Sequence, residues 1–342
     1  MKELNQIKQN ENNHDFSRVR YAGNYAIANF LNLYQKKCPI LNTADYPKEL
    51  KDVLSISDPH AFHLKMIEEG YLEPSSVGDR LEDLSTEEIV KIANEIGLPS
   101  MGERDALIHR LDLNCELDVL LKYIPNQDIY SLSYEGEKFL NAHTDLIELY
   151  NNSSRYGVNY SEYSEQQTKY PEYNFHQNLW AVIRERFNRN AMGGNYSKVQ
   201  QEYLYMYALF FDEERFSKAL ESLLSYFYMQ INAFTDTLEL MTQFKRQDES
   251  VSTFMKQTVL PKVTINQDIV NEISQLSSYL TGNMISRICK NEGGFYVKED
   301  AFQTILIDIV NKTFNLEQVE LAINTRIPRA LDHLLRTMPN AG

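Results

Sequence analysis

A mostly α-helical fold is what this 342-residue chain predicts, on three observations. Apolar residues recur at three- and four-residue spacing through most of its length, Ser-x-x-Glu capping boxes precede two such stretches, and the first half holds only one good strand candidate. Hydrophobic residues make up 43% and charged residues 24%, a composition that buries a core and does not suit a disordered chain. The longest apolar or aromatic run, Tyr203 to Phe211, falls far short of the roughly 20 residues of a membrane span. Cys38, Cys115 and Cys289 are an odd set without a C-x-x-C pair, which points to thiols in a reducing compartment and away from disulfides or structural zinc. The expectation is a soluble, cytoplasmic protein with no membrane partner. Its formal charge of -14 repels polyanions at long range, so any contact with phosphates must come from a local basic patch.

The elements follow in order. Residues 1–15 carry no apolar period and read as a flexible leader to an N-terminal domain over 16–150. Ile27, Phe30, Leu31 and Tyr34 place a helix near 21–34, and Pro39 and Pro47 mark a loop after it. Residues 59–70 form a short helix closed by Gly70. Ile129 to Ser133 alternates as a strand does, and Ser133 is placed to cap a helix through Phe139, Leu140, Leu146 and Tyr150. Residues 151–173 are polar, carry five tyrosines and show no helical stripe, so they read as a linker. A helical C-terminal domain over 174–342 follows, with spans near 175–190, 196–211, 213–245, 250–259, 267–290, 299–313 and 316–336. Gly193-Gly194 and Gly293-Gly294 serve as stops. Almost nothing separates 196–211 from 213–231, which predicts an antiparallel hairpin; its second member resembles the second helix of a tetratricopeptide unit, present in one copy.

The segment 84–111 is the most specific. Ser85 with Glu88 makes a capping box ahead of the apolar stripe Ile89, Ile92, Ala93 and Ile96, and Gly97 ends that helix. After Leu98-Pro99, Ser100 with Glu103 makes a second box ahead of Leu107, Ile108 and Leu111. Leu84, Gly97-Leu98, Gly102, Arg104 and Arg110-Leu111 together resemble the SAP motif, a helix, extended loop and helix. The surrounding phrases LKMIEEGYLE and YSLSYEGEKFLN extend the likeness to SAP-domain-containing proteins of Gram-positive bacteria and their mobile elements. The second phrase also resembles the last strand and helix of winged-helix regulators, which would make residues 55–150 one winged-helix-like domain around the SAP helices. The SAP resemblance implies contact with double-stranded DNA through Arg104, Arg110, Lys91 and the Gly102 turn, with helix N-termini offered to phosphates. Between 81 and 113, however, eight acidic side chains face three basic ones, and each phosphate contact needs a cation. The same fold serves elsewhere as a protein-interaction module.

Other constellations are weaker. His60 and His63, with Asp58 or Glu68, lack a third ligand at metal-site spacing and read as surface histidines at a helix start. No nucleophile elbow, phosphate loop, dinucleotide fingerprint or H-E-x-x-H is present, so neither an enzyme nor a cofactor is expected. Arg184, Arg186, Arg189 and Lys198 form a secondary basic patch against Glu185 alone, although cations near a helix end also suit its dipole. Arg326, Arg329 and Arg336 make a smaller one. Two functions follow: a nucleic-acid-associated protein docking DNA through the SAP-like helices, or a scaffold whose helical C-terminal domain binds another protein while a degenerate, acidic SAP fold serves structure.

Overall fold

A computed structural model describes residues 19–35, 38–42, 44–82, 84–120, 122–123, 129–247 and 250–338. The leader expected over 1–15 lies outside them. The protein is mostly helical with one small sheet, as its sequence predicts. Clustering of contacts divides it after Asn151 into two compact units.

In the first unit, α1 (Gly23–Leu33) buries seven consecutive residues, Tyr25 to Leu31, so it is enclosed on all sides. Its buried Asn29 amide donates to the carbonyls of Tyr25 (2.8 Å) and Leu146 (3.3 Å). The chain continues through β1 (Cys38–Pro39), α2 (Glu49–Asp52), α3 (Pro59–Glu68) and β2 (Leu72–Pro74). Asp58 caps α3 by accepting from the Ala61 N–H, and Pro59 occupies its first turn, where the missing N–H costs nothing. Four helices then leave the sheet: α4 (Val77–Leu81), α5 (Thr86–Glu95), α6 (Arg104–Asn114) and α7 (Leu117–Leu120). The return strand β3 (Ile129–Leu132) lies between β1 and β2, antiparallel to both, with Cys38 opposite Tyr130 and Leu72 opposite Leu132. The described elements of this unit begin at Gly23, before residue 55.

Two of the three strands went unread because they are two and three residues long and contain Pro39 and Pro74, which confine them to sheet edges. After β3, Ser133 caps α8 (Tyr134–Ala142), accepting from the Gly136 N–H and donating to the Gly70 carbonyl. A Cβ at Gly136 would sit 2.2 Å from the Tyr71 carbonyl oxygen, so no other residue fits there. The single helix expected to run on to Tyr150 breaks at His143, and α9 (Thr144–Tyr156) carries the unit boundary.

Residues 151–173 are not an irregular linker. They complete α9 and form α10 (Tyr160–Lys169), which Asn159 and Glu162 open with a capping box and which buries Tyr163 and Gln166. The second unit continues through α11 (Phe175–Met192), α12 (Tyr196–Asp212), α13 (Phe216–Ile231), α14 (Phe234–Arg246), α15 (Val251–Gln257), α16 (Gln267–Gln275), α17 (Gly282–Glu292), α18 (Glu299–Val310) and α19 (Leu316–Thr337). Helices α12 and α13 form the expected hairpin. Ten residues of α13 are buried, and the main core gathers around it with Phe302, Ile305 and Ile309 from α18.

The span 213–245 breaks at Asn232 and Ala233, the latter at φ +42°. Asn232 rewards that break. Its buried side chain accepts from the N–H groups of Tyr296 and Val297 (2.8 and 2.9 Å) and donates to the Tyr228 carbonyl, tying the bend to the turn after α17. The span 267–290 likewise breaks, at a short 3-10 turn over Ser277–Tyr279. Pro328 lies inside α19 and removes the N–H that would have bonded the Asn324 carbonyl.

Candidate functional site

Helices α5 and α6 of the segment 84–111 share a small core. Leu81, Ile89, Ile92, Ala93, Leu107, Leu111 and Leu120 are buried together, with Leu84, Ile96, Leu98 and Ile108 around them. Ser85 and Glu88 form the predicted box, and the Ser85 N–H and hydroxyl hold the Glu88 carboxyl below its ordinary range. Gly97 takes φ +75° and returns the Leu98 N–H to the Ala93 carbonyl at 2.8 Å. The second box does not form. Gly102 at φ +130° turns the chain so that Glu103 becomes the N-cap, without a side-chain cap bond, and α6 starts at Arg104.

Two of the three cations of this segment are engaged by backbone carbonyls. Arg104 donates to the carbonyls of Glu82 (2.7 Å) and Leu84 (3.2 Å), fastening the start of α6 to the end of α4. Arg110 reaches back from the middle of α6 to the carbonyls of Pro99 and Met101, holding the extended loop. Asp112 completes the brace by accepting from the Gly78 N–H at 3.0 Å. Lys91 alone stays outside, 73% exposed and 3.9 Å from Glu95. A guanidinium bonded this way keeps its charge, but to meet a phosphate it must release the loop it holds.

Helix α3 is no better equipped to meet phosphates. Lys65 donates to the Tyr21 hydroxyl at 2.9 Å and pairs with Glu69 at 3.5 Å, while Glu68 stands exposed beside it.

The secondary patch divides. Arg186 turns inward, 15% exposed, and donates to the Gly157 carbonyl, to Glu162 (3.2 Å) and to Glu202 (2.9 Å), joining α10, α11 and α12. Burial raises the Glu202 carboxyl above its ordinary range, with Arg186 opposing. Arg189 pairs with Glu185 at 2.9 Å. Arg186, Arg189 and Lys198 border one open cavity of about 360 Å³, whose walls also hold Glu162 and Glu202; Arg184 is exposed and does not line it. In the C-terminal cluster Arg336 pairs with Asp332 at 2.8 Å, while Arg326 and Arg329 are exposed.

His63 corrects the surface reading: it is fully buried, and so is Cys38. Cys38 Sγ lies 3.1 Å from His63 Nε2, and the Tyr46 hydroxyl lies 2.9 Å from Nδ1. This looks like a thiol–imidazole dyad, and its electrostatics oppose nucleophilic use. Burial pushes the thiol far up and the imidazole down to about 4, so both are neutral, whereas a reactive cysteine needs its thiolate. The buried Tyr46 and the half-buried Tyr34 are both raised to about 12. The sequence signal for the cluster was the spacing of Phe62, His63 and Met66, which puts His63 on the inward face of α3 with two residues that are buried throughout. Among the described residues no three His, Cys, Asp or Glu side chains gather as a metal site would require, and no helix is long and apolar enough to cross a membrane.

Comparison with protein-family models, with curated proteins and with solved structures finds no match. The SAP and winged-helix likenesses therefore stand on the residues of this chain alone.

Proposed function

We propose that the chain is a non-enzymatic protein-interaction scaffold in which the SAP-like helices brace the first unit and do not read DNA. One observation carries this: Arg104 and Arg110, the two cations the SAP likeness would send to phosphates, hold the carbonyls of residues 82, 84, 99 and 101 within the same small unit. Electrostatics favour the same reading, because eight acids surround three bases in that segment and the chain carries -14 overall. Docking of duplex DNA is the second reading, favoured by two helices that share a small core and by both glycine turns.

Anisotropy of a fluorescent DNA duplex, titrated with the full chain at low and moderate salt, separates the two. The scaffold reading expects no salt-sensitive binding and no difference between the wild type, Arg104→Ala and Arg110→Ala. Binding that weakens with salt and with both substitutions would establish DNA docking instead.

A further inference from the structure

Between α15 and α16 the chain runs without helix, and its side chains alternate: Pro261, Val263 and Ile265 are buried while Lys262, Thr264 and Asn266 are exposed. The alternation is that of a strand, with helix α19 standing where the next strand would be. Asn324 of α19 accepts from the Val263 N–H at 2.8 Å and donates to the Val263 carbonyl at 3.0 Å. Glu320, one turn earlier on the same face of α19, accepts from the Ile265 N–H. Two side chains thus reproduce one edge of a ladder.

In an extended chain successive residues send their N–H and C=O groups to opposite edges. Lys262 and Thr264 therefore direct theirs away from Asn324 and Glu320, and there no hydrogen bond is made among the described residues. Where this segment begins, an open cavity of about 550 Å³ lies between α14 and residues 257–261. Asp236 and Glu239 give its walls negative charge, with no basic residue lining it among the described residues, and Leu240, Leu260 and the 90% exposed Val259 supply apolar surface.

Resting on the scaffold reading, we propose that residues 259–265 are a docking edge for an extended peptide of a partner protein, added as a strand along Lys262 and Thr264, with alternating apolar and basic side chains. The carboxylates of Asp236 and Glu239 select the basic residues, as does the overall charge. A second copy of the chain is a poorer occupant, since the chain carries a net charge of -14 while the cavity walls are acidic.

The test uses the full chain and a fluorescein-labelled peptide alternating valine and lysine. Two comparators are a valine–glutamate version and the lysine peptide N-methylated at alternate backbone nitrogens. The lysine peptide should bind, and both comparators should bind roughly tenfold more weakly or worse, as lost strand hydrogen bonds or reversed charge dictate. Thr264→Pro removes an N–H that the fold does not use, so it should cause a similar loss with unchanged circular dichroism and melting. Asp236→Asn with Glu239→Gln should weaken the lysine peptide alone. Failure of the lysine peptide to bind, equal binding of its N-methylated form, or equal binding by a folded Thr264→Pro variant overturns the proposal. So does self-association abolished by Thr264→Pro, which would make the occupant a second copy. A failure of the scaffold reading shows separately, as salt-sensitive DNA binding that changes at Thr264 leave untouched.

Discussion

Arginine is used differently in the two units. Arg104 and Arg110 hold neutral carbonyls at the margin of a two-helix module, whereas Arg186 holds two carboxylates where three helices meet. A carbonyl dipole leaves a guanidinium its full charge and asks for little desolvation in return. A pair of carboxylates over-neutralises it and ties each partner's fate to the others. The first arrangement is a local clasp, and the second is a joint whose removal leaves like charges facing each other in a poorly hydrated place.

Arg186→Ala is therefore expected to have the largest effect. It strands Glu202, whose side chain is 6% exposed, beside Glu162, and breaking a buried pair typically costs about 3–5 kcal/mol. Urea unfolding should show a loss near the lower end of that range, because Glu162 keeps some contact with water. Combining Arg186→Met with Glu202→Leu should recover most of it. A single substitution within the scatter of surface variants would show that the joint is ornamental and erase the contrast between the units.

The first unit handles its own buried polar group by neutralising it. His63 sits against Cys38, Tyr46 and the rings of Tyr34 and Tyr130, with His60 as the neighbouring titratable group, and burial lowers it from 6.5 to about 4. Above pH 6.5 the imidazole is neutral in both folded and unfolded chains. As pH falls the unfolded chain takes up a proton first, so stability declines between 6.5 and about 4 and then levels, by roughly 3 kcal/mol for this group. Melting curves across that window should show the decline in the wild type and a slope smaller by one proton in His63→Leu. Equal slopes would mean that the site is wetter than its burial indicates.

What was legible in the chain was local. Capping boxes, glycine turns and apolar stripes located most helices, including both halves of the SAP-like unit and the α12–α13 hairpin. What was not legible depended on distant partners. The break at Asn232 has no local signal, since the residue is rewarded by the backbone of Tyr296 and Val297. The tyrosine-studded stretch over 151–173 hid a helix because Tyr163 and Gln166 supply its buried face, and tyrosine reads equally as loop or core. The engagement of Arg104 and Arg110 by carbonyls was hidden for the same reason: a cation in a motif announces its charge, while the carbonyls it meets belong to the backbone and leave no trace in residue identity.

That last point yields the smallest effect and the sharpest distinction between clasp and joint. Each of Arg104→Ala and Arg110→Ala removes hydrogen bonds from a charged donor to backbone carbonyls near solvent, worth roughly 1–2 kcal/mol, with no stranded charge left behind. Hydrogen exchange should localise the change to residues 82–84 for the first and 99–101 for the second, and leave the amides of α10–α12 unaltered. Arg→Lys at either position should rescue in part, because one terminal nitrogen of each guanidinium makes both bonds and an ammonium also carries several donors on one nitrogen. If both variants melt like the wild type and exchange at 99–101 is unchanged, the guanidinium groups are not needed as clasps, and the case for freeing them to meet phosphates returns.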